Sequence, residues 1–230
     1  MRNMPYDATM NEAIDNGDVL PFHTVLDVSE VYACLVLQFV DPCSYSGLNF
    51  GDKPDLFDCS KDLGVEVTQA IPPNNQEADA LYAKFQREKD EQKRERLASR
   101  IEQVGGELCD WGLFGPNGTD NFDLIIKAFA TKLNKLNSGS YKPFLHNHLY
   151  IRANICASNA MLVDALSRFT GINNKKTPFE RIIISVPGRN YDFNLMEQSF
   201  AEYPFGFQEQ YEIAVRARKI VLARQSHAAK

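Results

Sequence analysis

Several patterns that would assign a function directly are missing from this sequence. The five cysteines include no CxxC pair, so neither a cysteine-based zinc site nor a disulfide framework is indicated. The sequence also has no Gly-rich phosphate loop, no GxSxG motif and no HExxH motif. The enzyme classes that depend on these motifs are therefore not indicated.

Long apolar runs are missing as well. Residues 1–18, MRNMPYDATMNEAIDNGD, contain acids where a signal peptide needs an apolar stretch, and no later run reaches the length of a membrane span. The spacing of the cysteines indicates reduced thiols. Together with the lack of long apolar runs, it predicts a soluble, cytoplasmic protein with no membrane contact. The formal net charge of -5 argues against a surface that is basic throughout. Any contact with nucleic acid would have to use local patches.

The overall composition is that of an ordinary globular protein. The chain has 230 residues, of which 44% are hydrophobic and 24% charged, and a single domain over residues 1–230 is expected. Helices are predicted after Asp27 and in the segments that follow residues 121 and 157. Strands are predicted at 146–155, 181–186 and 191–195. This succession favours an α/β protein with a mixed central sheet flanked by helices and a core at about 27–195.

Two charged segments lie outside the predicted sheet. Residues 76–104 are predicted to form one long helix that ends at Gly105-Gly106, and its middle, QREKDEQKRERLASR, mixes both charge signs densely. We interpret it as a solvent-exposed helix inserted in the core, in preference to a nucleic-acid-binding arm. Packing of this helix against a second copy would give a homodimer. Residues 209–230 are predicted to form a C-terminal helix with a basic end, which suits either phosphate or the helix dipole.

Two short runs before the long helix are predicted to pair as an antiparallel hairpin. The first is 55–58 and the second 64–71, and side chains alternate along the second so that Glu66 and Thr68 share one face. Adjacent strands lie only about 5 Å apart, so Asp55 and Glu66 can share one divalent cation. Two carboxylates that close repel each other, which makes a metal their natural partner. The alternative is an ordinary hairpin whose acids are solvated.

At these residues the chain resembles the PD-(D/E)XK nuclease superfamily. Pro54-Asp55 matches the first half of the motif and Glu66-Val67-Thr68 the second, with Thr68 where the family usually has lysine. The resemblance implies a restriction-endonuclease-like fold and metal-dependent hydrolysis of phosphodiester bonds in nucleic acid. It also implies Mg²⁺, with Mn²⁺ as an alternative, held by Asp55, Glu66 and the Val67 carbonyl. The competing hypothesis is a catalytically inactive relative that serves as a binding or assembly module. No substrate-binding residue is identified.

The missing motif lysine directs attention to other lysines. Some members of the superfamily take this lysine from a nearby helix, and Lys132 is the first candidate here, followed by Lys127 and Lys135. Lys53, two residues before Asp55, is expected on the same strand face and is a second source of positive charge. Each of these lysines also suits an exposed position that contributes only to solubility.

One further acid precedes the hairpin. Glu30 lies at the start of the helix that follows Asp27, where the resembled family sometimes supplies an additional carboxylate. The helix dipole by itself also favours a glutamate at this position. Glu30 therefore fits two interpretations, an additional carboxylate of the site or a glutamate favoured by the helix dipole.

Overall fold

The computed structural model describes residues 20, 23–109, 112–116, 118–139 and 144–228. Residues 1–18, on which the expectation about secretion depends, lie outside this set. The described residues fall into two compact units. We call them the sheet unit, residues 25–71 and 118–228, and the insertion unit, residues 72–116 with the few described residues before 25.

The helices and strands of the described residues follow one another in this order: α1 (Val28–Val40), α2 (Pro42–Tyr45), β1 (Asn49–Phe50), β2 (Leu56–Asp58), β3 (Leu63–Ala70), α3 (Pro73–Arg87), α4 (Glu91–Gln103), β4 (Glu107–Cys109), β5 (Gly112–Phe114), α5 (Asp123–Leu136), β6 (His146–Ala153), α6 (Asn159–Ile172), β7 (Arg181–Val186), β8 (Gly188–Asn194), β9 (Ser199–Phe205) and α7 (Phe207–Ala228).

The sheet unit is built on a seven-stranded mixed sheet in the order β1-β2-β3-β6-β7-β8-β9. The pairs β3 with β6 and β6 with β7 are parallel. The connection from β6 to β7 contains α6, and that from β3 to β6 contains the insertion unit followed by α5. The remaining pairs are antiparallel. The predicted α/β class, with a mixed central sheet flanked by helices, is confirmed.

Alternation along the central strands creates a core on each face of the sheet. On one face Leu149 and Ile151 of β6 pack under α5 and α6. On the other face Tyr150 of β6 and Ile183 of β7 pack with residues of α1. Because both faces are covered, the central strands are apolar almost throughout, as in the run RIIISV of β7.

The structure agrees with the sequence-based prediction for the first helix and adds a strand at the end of the sheet. Asp27 is the N-cap of α1, and its side chain accepts a hydrogen bond from the Ser29 N–H at 2.7 Å. Strand β9, beyond the predicted core limit of residue 195, has no counterpart in the prediction, and it pairs with β8 along seven residues. The C-terminal helix begins at Phe207, close to the expected position.

The insertion unit contains two helices where the sequence predicts one. Glu88 has an extended backbone that ends α3, and Asp90 then caps α4 by accepting the Lys93 N–H at 3.0 Å. The prediction of a continuous helix over 76–104 is wrong because an aspartate cap competes with helix continuation at this point. Gly105, with φ of 89°, follows the end of α4 as expected, and a short β4–β5 hairpin comes next.

No helix among the described residues is both long enough and apolar enough to cross a membrane.

Candidate functional site

Three side chains predicted from the sequence converge beside the β2–β3 hairpin. Leu56 pairs with Val65 in the hairpin, so Asp55, just before β2, lies beside Glu66 of β3. The Lys132 Nζ of α5 lies 2.6 Å from Glu66 Oε2 and 3.2 Å from Asp55 Oδ2. The expected proximity of these three residues is present. Their catalytic and metal-binding roles remain predictions.

Helix α5 delivers Lys132 because its apolar stripe faces the sheet. Phe129 and Leu133 are buried in the core on that face, and Lys132 lies between them in sequence at the flank of the stripe. A lysine at such a flank can run its apolar stem along the core while its ammonium reaches the edge. Glu66 points to the same side of the sheet, which brings the two charges together.

Burial makes this a strong local electrostatic cluster. The side chain of Glu66 is 2% exposed, that of Lys132 15% and that of Asp55 23%. Burial by itself lowers the pKa of Lys132, but the hydrogen bonds and charges of Glu66 and Asp55 outweigh it and hold this pKa above its ordinary value. The ammonium therefore stays charged over the whole range in which the protein would be assayed.

The backbone of β3 also takes part in the site. The Val67 N–H donates a hydrogen bond to Asp55 Oδ2 at 2.7 Å, which fixes the carboxylate against the strand. Thr68 follows on the same face as Glu66 and is half-buried. Its hydroxyl carries no charge, so the cation of this cluster is supplied by α5 alone among the residues described.

The other lysines proposed from the sequence lie elsewhere. Lys53 is not in a strand, because β2 begins at Leu56, and its φ of 107° places it in the left-handed region. The expectation that it shares a strand face with Asp55 is therefore wrong, and its Nζ lies 3.8 Å from Asp52 Oδ2. Lys127 and Lys135 of α5 are exposed.

Glu30 of α1 belongs to the electrostatic surroundings of the cluster. Burial first, and then the negative charges of Asp55 and Asp27, raise the pKa of Glu30 to about 7, although the Lys132 charge acts in the opposite direction. A glutamate that merely served the helix dipole would keep a low pKa. Burial and neighbouring acids, Asp27 at the helix start among them, thus outweigh the effect of the helix dipole on Glu30.

The donor atoms of this cluster suit a hard cation. Two carboxylates converge on one position, now taken by an ammonium, and Mg²⁺ and Mn²⁺ prefer such oxygen ligands together with water. The described residues contain no group of three or more His, Cys, Asp or Glu side chains arranged to hold a metal ion. A metal here would therefore depend on Asp55, Glu66, a backbone carbonyl such as that of Val67, and water.

A second buried polar cluster lies on the opposite face of the sheet and was not indicated by the sequence. The Arg181 guanidinium makes two hydrogen bonds to Asp192, at 2.9 and 2.6 Å, and a third to Asp41 at 2.8 Å. Beside it, the Tyr45 hydroxyl lies 2.9 Å from Nδ1 of the buried His148. Every charge in this cluster has a partner, and α2 is thereby attached to β7 and β8.

Burial sets the ionisation of this second cluster. Burial opposes ionisation of Asp41, but hydrogen bonds from Arg181 and Ser44 outweigh it and lower its pKa to about 2. Burial, assisted by the charge of Arg181, lowers the pKa of His148 to about 3, so this imidazole is neutral in the folded protein at neutral pH. The cluster is a structural ion network with an uncharged histidine beside it.

Comparison of the chain with models of protein families, with curated proteins and with solved structures gave no match.

Proposed function

We propose that this protein is a metal-dependent nuclease that hydrolyses phosphodiester bonds in nucleic acid. The observation that carries the proposal is the convergence of Asp55, Glu66 and Lys132 at one point beside the β2–β3 hairpin. Two acids on adjacent strands and one lysine within hydrogen-bond reach are the groups that the resembled nuclease motif requires. Here the lysine comes from a helix rather than from the position of Thr68.

The order of elements supports a restriction-endonuclease-like fold as the finer description. Helix α1 precedes three antiparallel strands, β1 to β3, and helix α5 follows them in the sheet unit before strand β6. The succession β6, α6, β7 then forms a parallel crossover. This is the order expected from the resemblance, with the insertion unit placed between β3 and α5.

Asp55 and Glu66 would hold Mg²⁺ or Mn²⁺, together with the Val67 carbonyl. Bound there, the metal would lower the pKa of a coordinated water and offset negative charge on the scissile phosphate. The chain's own contribution is positional. The Val67 N–H fixes Asp55, and the packing of Phe129 and Leu133 fixes the part of α5 that carries Lys132.

Lys132 would act as the charged partner of the phosphate. Its ammonium stays protonated because Glu66 and Asp55 raise its pKa, so it serves as an electrostatic and hydrogen-bonding group and not as a general base. Glu30, with its pKa raised to about 7, would exchange a proton with solvent at neutral pH.

A binding or assembly module without catalysis is the second candidate. One specific observation favours it: Lys132 already occupies the position between the two carboxylates and forms an ion pair with each. An ion cluster of this kind can fix the packing of a helix on a sheet without any chemistry. Under this alternative the protein would bind nucleic acid or a protein partner and cleave nothing.

A cleavage assay separates the two candidates. Fluorescently labelled single-stranded DNA, duplex DNA and RNA would be incubated with the protein in Mg²⁺, in Mn²⁺ and in chelator. We expect metal-dependent cleavage by the wild type and its loss, by a factor of roughly 100 or more, in Asp55→Asn, Glu66→Gln and Lys132→Met. The proposal fails if the wild type leaves all three substrates intact with both metals.

Matched controls separate the site from general charge effects. Asp164→Asn removes an exposed carboxylate of α6, and Lys127→Met removes an exposed cation from the helix that carries Lys132. Both controls should cleave as the wild type does. Activity that survives in all three site variants would indicate a contaminating nuclease.

A further inference from the structure

The insertion unit contains an open cleft with a basic lining. The cleft has a volume of about 460 Å³ and lies between the end of α3 and the start of α4. Four of its lining residues are cations and one is an acid: Lys84, Arg87, Lys93, Arg96 and Glu88, with Leu97 as the apolar member. All four cations are exposed. A protein with net charge -5 thus concentrates positive charge at this point.

The sequence around the cleft also has an excess of positive charge. Residues 84–100 contain seven Lys and Arg against four Asp and Glu. The single acid of the cleft is turned towards the backbone, because Glu88 Oε1 accepts hydrogen bonds from the N–H groups of Lys89 and Asp90 at 3.0 and 3.1 Å. These hydrogen bonds hold the Glu88 carboxylate against the backbone between α3 and α4.

Helix stability accounts for only part of this arrangement. Lys84 and Arg87 lie in the last turn of α3, where the helix dipole favours cations. Lys93, however, lies in the first turn of α4, where a cation opposes the dipole. The helix dipole therefore does not account for the cation at position 93.

Two other cations of α4 contact side chains within the insertion unit. The Arg94 guanidinium lies 4.6 Å from the centre of the Phe85 ring, and Arg100 donates to Glu77 at 2.8 Å. Lys93 and Arg96 instead line the cleft. They are the cations of α4 that a ligand in the cleft would meet first.

We propose that this cleft binds the phosphate backbone of nucleic acid. Several cations around an open cleft match a chain of regularly spaced phosphates. The choice of nucleic acid over another polyanion rests on the proposed function of the sheet unit. The cleft would provide affinity that does not depend on base sequence, as phosphate contacts do.

The test reverses two of the four positive charges that line the cleft, those of Lys93 and Arg96. In Lys93→Glu/Arg96→Glu an acid replaces the unfavourable cation in the first turn of α4, so the dipole supports the folded helix. The matched control is Lys175→Glu/Lys176→Glu, which makes the same change in net charge at exposed residues of the sheet unit. Fluorescence anisotropy would be measured with single-stranded DNA, duplex DNA and RNA of equal length, in chelator so that no substrate is cleaved.

We expect the cleft variant to bind all three probes on the order of tenfold more weakly than the wild type at low salt. Its plot of log affinity against log salt should be shallower by roughly 1.4 for single strands and 1.8 for duplex DNA, because two phosphate contacts are lost. The control variant should retain the affinity and slope of the wild type. Differences among the three probes identify which nucleic acid the cleft prefers.

Three outcomes would overturn the proposal. The first is that the wild type binds none of the probes. The second is that both double variants lose affinity equally, because the effect would then be one of net charge. The third is that polyglutamate competes with the probes as well as nucleic acid does, which would assign the cleft to an acidic protein. Circular dichroism of both variants checks that the helices are retained.

Failure of the cleft and failure of the nuclease proposal give different results. Binding that depends on Lys93 and Arg96 without cleavage by the wild type supports the cleft and contradicts the nuclease. Metal-dependent cleavage that requires Lys132, with binding unchanged in the cleft variant, supports the nuclease and contradicts the cleft.

Discussion

Lys132 is the positive partner of Glu66, whose carboxylate is almost completely removed from solvent. Removing one member of a buried ion pair leaves an uncompensated charge, which costs roughly 3–5 kcal/mol. Among the described residues, this one ammonium is the positive charge paired with both carboxylates of the cluster.

Lys132→Met should make the stability of the protein depend on divalent cations. In chelator we expect its free energy of unfolding to fall by roughly 3 kcal/mol, because Glu66 and Asp55 lose their cation. Added Mg²⁺ should recover part of the loss by binding the freed carboxylates. Thermal unfolding with and without Mg²⁺ measures this, and Lys127→Met is the control. A variant whose melting temperature ignores Mg²⁺ would show that the carboxylates hold no metal.

Glu30 gives the site a pH dependence of its own. Its pKa in the folded protein, about 7, lies above the ordinary 4.5, so the folded state binds more protons than the unfolded state between these values. The contribution of Glu30 to the free energy of unfolding should therefore fall as pH rises from 4.5 to 7. Glu30→Gln, which stays neutral, should show a smaller fall in urea denaturation series at several pH values. An unchanged slope would mean that Glu30 titrates normally.

Helical geometry explains why Lys132 was identifiable from the sequence. At about 100° per residue, Lys132 lies about 60° from Phe129 around α5, whereas Lys127 and Lys135 lie about 160° and 120° away. Of the three lysines, only Lys132 is close enough to the buried stripe of α5 for its ammonium to reach the sheet. The prediction that Lys53 lies on a strand is wrong because the positive φ of a non-glycine residue cannot be recognised from composition.

At the level of secondary structure, the separation of α3 from α4 depends on a single cap. The segment around Glu88 consists of good helix formers, so propensity alone predicts continuation. Asp90 reverses that preference, because its side chain satisfies the Lys93 N–H only if a new helix begins there. A weak local signal of this kind is easily outweighed in a sequence-based prediction by a long run of charged residues.

Asp90→Ala should weaken the start of α4. Loss of an aspartate cap typically costs about 1 kcal/mol, and the effect should be confined to the insertion unit. Hydrogen exchange of the amides in the first two turns of α4 measures the change, and we expect it to become several-fold faster. Glu95→Ala, an exposed substitution in the same helix, is the control. Equal exchange in both variants would mean that the cap does not define this boundary.

The strands of the sheet differ in how readily the sequence reveals them. β3 and β7 are rich in β-branched residues and were predicted almost to the residue. β9 was missed because most of its residues are exposed and it contains Pro204, which argues against a strand except at an edge. Its place beside β8 depends on pairing along the sheet rather than on local preference.

For the molecule as a whole, acid stability should be limited by a histidine outside the proposed site. Between pH 6.5 and about 3 the unfolded chain binds a proton at His148 that the folded protein does not, so the free energy of unfolding should fall as pH falls through this range. Asp41, with its lowered pKa, adds a loss below pH 3.8. Glu30 acts in the opposite direction above pH 4.5.

His148→Gln should reduce this acid sensitivity. The amide keeps a polar partner for Tyr45 but cannot gain a charge in this range, so the slope of stability against pH below 6.5 should decrease by up to one proton. Chemical denaturation of the variant and the wild type from pH 4 to pH 7 provides the comparison. Equal slopes in the two proteins would place the acid-sensitive group elsewhere.

The ammonium between Asp55 and Glu66 means that the site contains its own counterion. Small domains that need a metal to fold lose their structure in chelator, whereas here one ammonium already offsets part of the charge of the two carboxylates before any metal arrives. Under the proposed function a metal would enter by exchange, and the work of separating Lys132 from its partners would weaken its apparent affinity. Occupancy would then rise and fall with the free concentration of the cation, so that the metal supply of the surroundings, rather than folding, would determine when the site is ready to act.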